Sequence, residues 1–142
     1  MYIHREIEQT IIEMLHQFKV VLVTGARQVG KTTVLENRLG DSFGYVSLED
    51  PMTYSQADKD ALLVFQTNKL PLRIDEVQRV PGLFQTTKFI VDQSDKYGQV
   101  VLTGSQTYEL MKGVSESLAG RIGILEMSGL ALRELIDGNS GN

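Results

Sequence analysis

The chain has 142 residues, 42% hydrophobic and 23% charged, a composition that suits one globular domain able to bury a core without staples. With no cysteine it can build neither a disulfide framework nor a thiolate metal site. A net charge of −4 and a sequence pI near 5.2 give no general basic field for nucleic acid, and the apolar runs fall far short of the about 20 residues a spanning helix needs.

The opening segment from Met1 to Glu6 is neither a signal peptide nor an Arg-rich transit sequence, so a cytoplasmic location is the expectation. Ile3, Ile7, Ile11, Met14, Leu15 and Phe18 recur at helical spacing and predict an amphipathic helix over 2–17. His4 and His16 fall in that helix at a spacing that makes no metal pattern. Val20 to Val23 is a short β-branched run, as in a buried parallel strand.

The next eight residues, GARQVGKT, match G-x-x-x-x-G-K-[ST], the loop that wraps the phosphates of a nucleoside triphosphate. Gly25 and Gly30 let the backbone approach an anion closely, and the N–H groups of Ala26, Arg27, Gln28, Val29 and their neighbours turn inward toward it. Lys31 brings a compact positive charge to the β and γ oxygens. The Thr32 hydroxyl is a candidate Mg²⁺ ligand, and Thr33 closes the loop as the next helix begins. That helix reads from Thr33 to Leu39 and stops at Gly40.

Gly44 to Leu48 predicts a second strand. Asp50-Pro51 starts a helix, whose face is marked by Ala57, Ala61, Leu62 and Phe65. Leu70 to Ile74 is a third strand, in which Pro71 fits best at the first position and Arg73 must find solvent or an acidic partner. A helix opens at Pro81-Gly82 and runs toward Gly98, with Leu83, Thr87, Ile90, Val91 and Ser94 on one stripe. Gln99 to Thr103 is the fourth strand. A helical stretch through Glu109 and Leu118 leads to Arg121 and a fifth strand, Ile122 to Glu126. A short helix from Leu130 to Ile136 follows, and Asp137 to Asn142 reads as a flexible polar linker. Strands alternating with helices predict an α/β sandwich around a mostly parallel sheet.

Several residues are placed to do chemistry. Asp75, at the end of the third strand, is the candidate for holding Mg²⁺, and Glu76 for orienting and deprotonating a water. Ser105, where the fourth strand ends, could hydrogen-bond that water or the γ-phosphate; the alternative is a Gly-Ser turn capping the next helix. Arg121 could stabilise charge on the γ-phosphoryl group, in cis or across a subunit contact, or could form a structural salt bridge.

The segments GARQVGKTT, IDEVQRVPGLF, VVLTGSQ and SLAGR occur in this order over nearly the whole chain. Together they resemble the AAA+-superfamily predicted ATPases of bacteria and archaea whose P-loop core precedes a separate C-terminal domain. The resemblance implies a three-layer αβα P-loop core over 1–137, a five-stranded sheet in the order 5-1-4-3-2, and ATP with Mg²⁺ as ligand. It assigns Lys31 and Thr32 to Walker A, Asp75 and Glu76 to Walker B, Ser105 to the sensor-1 position and Arg121 to the arginine-finger position. Arg5 is similar to an N-terminal family arginine near the nucleotide. Two departures stand out: Ala26 replaces a common proline, and Arg73 an aliphatic residue. The family's C-terminal domain has no counterpart up to Asn142, so 138–142 is expected to open a linker to it. A homo-oligomer or a protein partner would be engaged through that domain.

Three functions remain open at this point. One is an ATPase core that drives or gates another domain; the isolated core is then expected to turn over slowly. The second is a nucleotide-gated interaction module with little hydrolysis. The third, a nucleic-acid-associated motor component, is disfavoured by the acidic pI. Asn68-Lys69-Leu70-Pro71 lacks the Asp of a guanine-reading N-K-x-D, and no membrane partner is indicated.

Overall fold

The computed structural model describes residues 2–25, 35–36, 38–128, 131–136 and 139–140, with side chains described for 6–25, 35–36 and 38–127. Ala26, Arg27, Gln28, Val29, Gly30, Lys31, Thr32 and Thr33 therefore lie outside the described residues.

The first helix, α1 (Tyr2–Leu15), follows the predicted apolar stripe, with Ile7, Ile11 and Met14 at most 3% exposed. It leads into β1 (Val20–Gly25), whose every residue is buried, as befits a central parallel strand covered on both faces. Residues 35–36 and 38–39 are helical (α2), and a 3₁₀ turn, Gly40–Ser42, precedes β2 (Gly44–Ser47). Asp50 caps α3 (Pro51–Lys59) as its sequence suggests: Oδ2 accepts from the Thr53 N–H at 3.0 Å and the Thr53 hydroxyl at 2.8 Å. The face from Ala57 to Phe65 is divided between α3 and α4 (Leu62–Thr67), because Asp60 is extended between them.

Pro71 lies just ahead of β3 (Leu72–Asp75), where its missing N–H costs no ladder bond. A 3₁₀ turn, Val77–Arg79, and α5 (Gly82–Val91) follow. The helix α5 ends well before Gly98. Lys19 Nζ donates to the Val91 and Ser94 carbonyls at 3.2 and 2.8 Å, and Gln99 Nε2 to Val91 at 3.2 Å. Terminal carbonyls are thus satisfied from neighbouring segments without another helical turn. Strand β4 (Val100–Gly104) runs into α6 (Tyr108–Ser117), capped by Thr107, and β5 (Ile122–Ser128) completes the parallel set.

The sheet order is β2-β3-β4-β1-β5-β6-β7, in which the first five strands are parallel. This is the predicted 5-1-4-3-2 seen from the other edge. The helix expected from Leu130 to Ile136 is corrected: Ala131–Ile136 form β6, antiparallel to β5 with Glu126 opposite Arg133. Ala, Leu, Arg and Glu are good helix formers, but the far edge of β5 offers unpaired backbone groups that a hairpin satisfies, and tertiary pairing outweighs propensity. Within the expected linker, Asn139–Ser140 form a short strand, β7, against β6.

Strand alternation divides the core. Val20, Leu22, Leu72, Ile74, Val100 and Leu102 face one layer with α5 and α6, while Val21, Val23 and Val101 face the layer containing α1 and α2. In the first layer Gly113 of α6 lies against the Phe84 ring of α5; a Cβ there would come within 2.4 Å of it. Among the described residues no helix is long and apolar enough to cross a membrane.

Candidate nucleotide site

The carboxyl ends of β1, β3 and β4 form one rim. Thr24 is in register with Gly104, and Ile74 with Leu102, so the start of the phosphate loop, the Asp75-Glu76 pair and the turn after β4 emerge side by side. Gly25 leaves β1 with φ of 146°, a backbone conformation that L side chains rarely adopt.

Asp75 and Arg73 point from β3 toward the α1–α2 layer, as their alternation with Leu72 and Ile74 requires. Asp75 is 6% exposed. Burial pushes its carboxyl above the ordinary value; the Arg73 guanidinium and hydrogen bonds from Thr103 and Tyr45 act against that, and the Glu76 charge adds to it. Thr103 of β4 links the acidic pair. Its hydroxyl donates to Asp75 Oδ1 at 3.1 Å and accepts from the Glu76 N–H at 3.2 Å.

Glu76 itself is left-handed, with φ 60° and ψ 48°. A non-glycine residue there costs about 1–2 kcal/mol, and such conformations cluster at functional sites. The Gln78 amide then donates from Nε2 to Glu76 Oε1 at 2.9 Å. The turn thus holds the Glu76 carboxylate through Gln78.

Arg73 finds the acidic partner its burial demands. At 4% exposure, its Nε lies 3.5 Å from Asp75 Oδ1 and its Nη2 3.7 Å from Glu36 on α2. Its guanidinium carbon stacks 4.1 Å from the ring centroid of Tyr45, the residue in register with it on β2. The helix after the phosphate loop is tied in this way to the strand carrying Asp75.

Gly25, Asp75, Glu76 and Ser105 thus share the rim; Ser105 follows β4 and is half-buried. Arg5 lies in α1, its side chain outside those described. Arg121 is elsewhere. It precedes β5, whose Ile122 is in register with Val20, at the amino-terminal end of the sheet. The length of β1, roughly 17 Å at 3.3 Å per residue, separates it from the rim of its own chain. There its Nε and Nη2 donate to the two carboxylate oxygens of Asp92 at 2.7 and 2.9 Å, and Nη1 to the Ala119 carbonyl at 3.0 Å. Of the roles open to Arg121, the salt bridge is the one seen, at the end of the sheet opposite the rim. A cleft of about 900 Å³, lined by Phe65, Leu70, Tyr97 and Gln99 among others, also opens at that far end.

Thr103 and Gln78 are the residues that sequence reasoning missed. Thr103 was legible in principle. In the expected strand order β4 adjoins β3, and the parity that turns Val101 toward α1 turns Thr103 toward Asp75. Gln78 carries no such signal, because its reach depends on the left-handed Glu76.

A buried carboxylate at this rim is a hard oxygen donor of the kind Mg²⁺ takes, and a second carboxylate stands beside it. The two carboxylates therefore fit a Mg²⁺ ion.

A parallel sheet in this order, with the GARQVGKT sequence following β1 and an acidic pair at the end of β3, defines a P-loop nucleoside-triphosphate-binding core. Residues 17–136 match the family model described as an AAA domain, and the chain belongs to that family. It is a nucleotide-binding, ATPase-like core. Two uncharacterized proteins, from Mycobacterium bovis and Mycobacterium tuberculosis, are each 37% identical to it over 123 residues, which is 85% of this chain and 27% of theirs. The chain thus spans well under half the length of these relatives. A solved structure described as "Structural Basis for DNA Unwinding at Forked dsDNA by two coordinating Pif1 helicases" is similar with a TM-score of 0.49 at 15% identity, over 90% of this chain and 43% of that one. At that level the likeness says nothing about activity.

Proposed function

We propose that this AAA domain binds ATP with Mg²⁺ and hydrolyses it, and that in a longer protein it drives or gates a further domain. The observation that carries this reading is the Asp75-Glu76 pair, braced by Thr103 on the rim where the phosphate loop begins. Asp75 and Thr32 would hold Mg²⁺, which supplies charge neutralisation on the phosphate oxygens. The backbone from Gly25 to Thr33 would cradle the phosphates, with Lys31 on the β and γ oxygens. Glu76 accepts a proton from a water as that water's oxygen bonds to the γ-phosphorus in line. The bond from the γ-phosphorus to the β,γ-bridging oxygen breaks, and ADP and phosphate leave. Ser105 would hydrogen-bond the water or the γ-phosphate. Adenine is the proposed base on the family resemblance.

The placement of Arg121 supports a second reading, a nucleotide-gated module that hydrolyses little, since the one arginine assigned to the γ-phosphate is held at the far end by Asp92. Calorimetry and phosphate release test both. Wild type should bind Mg²⁺–ATP and Lys31→Ala should not; equal binding by the two sinks the nucleotide site. Release of phosphate by wild type, with Glu76→Gln retaining ATP, supports the enzyme. Equal, near-zero release from both supports the switch.

A further inference from the structure

Gln78 lies in the 3₁₀ turn after the acidic pair, and the only hydrogen bond described for its side chain runs from Nε2 to Glu76 Oε1 at 2.9 Å. Its other amide atom, Oε1, is buried without a hydrogen-bond partner among the described residues. The side chain keeps Nε2 on the carboxylate although its Oε1 gains no such partner there. Turning the amide over would bring its oxygen against the Glu76 carboxylate, so the chemistry of the pair fixes the orientation.

The β4 end is shaped to receive this amide. A Cβ on Gly104 would lie 2.4 Å from Gln78 Oε1, so the carbonyl end of the amide occupies the space a side chain at 104 would take. Glycine at the end of β4 and glutamine two residues after Glu76 are thereby one arrangement. On the other side of Glu76, its N–H is held by Thr103. Backbone and carboxylate of Glu76 are gripped separately, one from β4 and one from the turn.

We propose that Gln78 is a positioning residue for hydrolysis: seated over Gly104, it holds the Glu76 carboxylate in the orientation from which it takes the proton of the attacking water. The assignment rests on the hydrolytic reading above. With this hydrogen bond lost, the site would bind nucleotide as well as before but the carboxylate would sample the productive orientation less often, which lowers kcat and leaves ground-state binding unchanged.

The test is ATP turnover and single-turnover hydrolysis by the 142-residue chain as wild type, Gln78→Ala, Gly104→Ala, Glu76→Gln and the Glu76→Gln/Gln78→Ala pair, with thermal midpoints alongside. Gln78→Ala should keep its midpoint and KM for ATP within about twofold and lose about tenfold in kcat. Gly104→Ala should lose kcat in the same way, because the added methyl takes the space of the amide oxygen. In the Glu76→Gln background, Gln78→Ala should bring little further loss in the single-turnover rate. Unchanged kcat in folded Gln78→Ala overturns the role, as does a raised KM with kcat intact or an equal loss in both backgrounds. Wild type that binds ATP but releases no phosphate overturns the hydrolytic reading itself, and the role with it.

Discussion

Asp75 carries opposed demands. Its carboxyl is raised by burial more than Arg73, Thr103 and Tyr45 lower it, so the folded protein holds that proton more tightly than the unfolded chain, whose ordinary value is 3.8. The stability this contributes is fully present below 3.8 and is lost as pH rises through the folded value. We therefore expect the thermal midpoint of wild type, relative to Asp75→Asn, to fall as pH is raised from that point, and to recover when Mg²⁺–ATP is added at neutral pH. Parallel melting curves across that range would contradict it. Asp92 has the opposite sign: its hydrogen bonds from Arg121 lower its carboxyl, so its contribution is lost as pH falls below 3.8.

At the scale of elements, the parallel strands were legible because hydrophobic runs, glycine stops and proline starts coincide, while their order followed from the family resemblance alone. The segment from Leu130 to Ile136 was not legible. Its composition favours a helix, and the deciding factor, the open edge of β5, is not local. Packing between α5 and α6 was also hidden. Gly113 reads as a poor helix residue, yet it is where the Phe84 ring lies. Gly113→Ala should therefore destabilise despite its better helix propensity, by about 1–3 kcal/mol from overpacking, measured by urea unfolding. A variant more stable than wild type would show that the Phe84 ring moves aside without cost.

Across the whole molecule, the two ends of the sheet are separate. The Asp75-Glu76 pair could be singled out because a complete loop motif precedes it, and it sits at the carboxyl end of β3. Arg121 was ambiguous because position in the chain does not say which end of a strand a residue meets. The register of β5 with β1 does. Arg121→Ala should leave ATP affinity and turnover within about twofold, as expected for a surface pair remote from the chemistry. A loss of a thousandfold, the scale of an arginine finger, would instead mean that a neighbouring copy uses it.

The left-handed backbone of Glu76 bears on how this protein could be improved. Glycine takes that conformation without the Cβ penalty, so Glu76→Gly should gain about 1 kcal/mol of folding stability, seen as a higher urea midpoint, while ending phosphate release. A library selected for heat resistance alone would enrich that change and discard the proposed general base along with the strain. Hardening this domain without losing its chemistry means keeping position 76 out of the library.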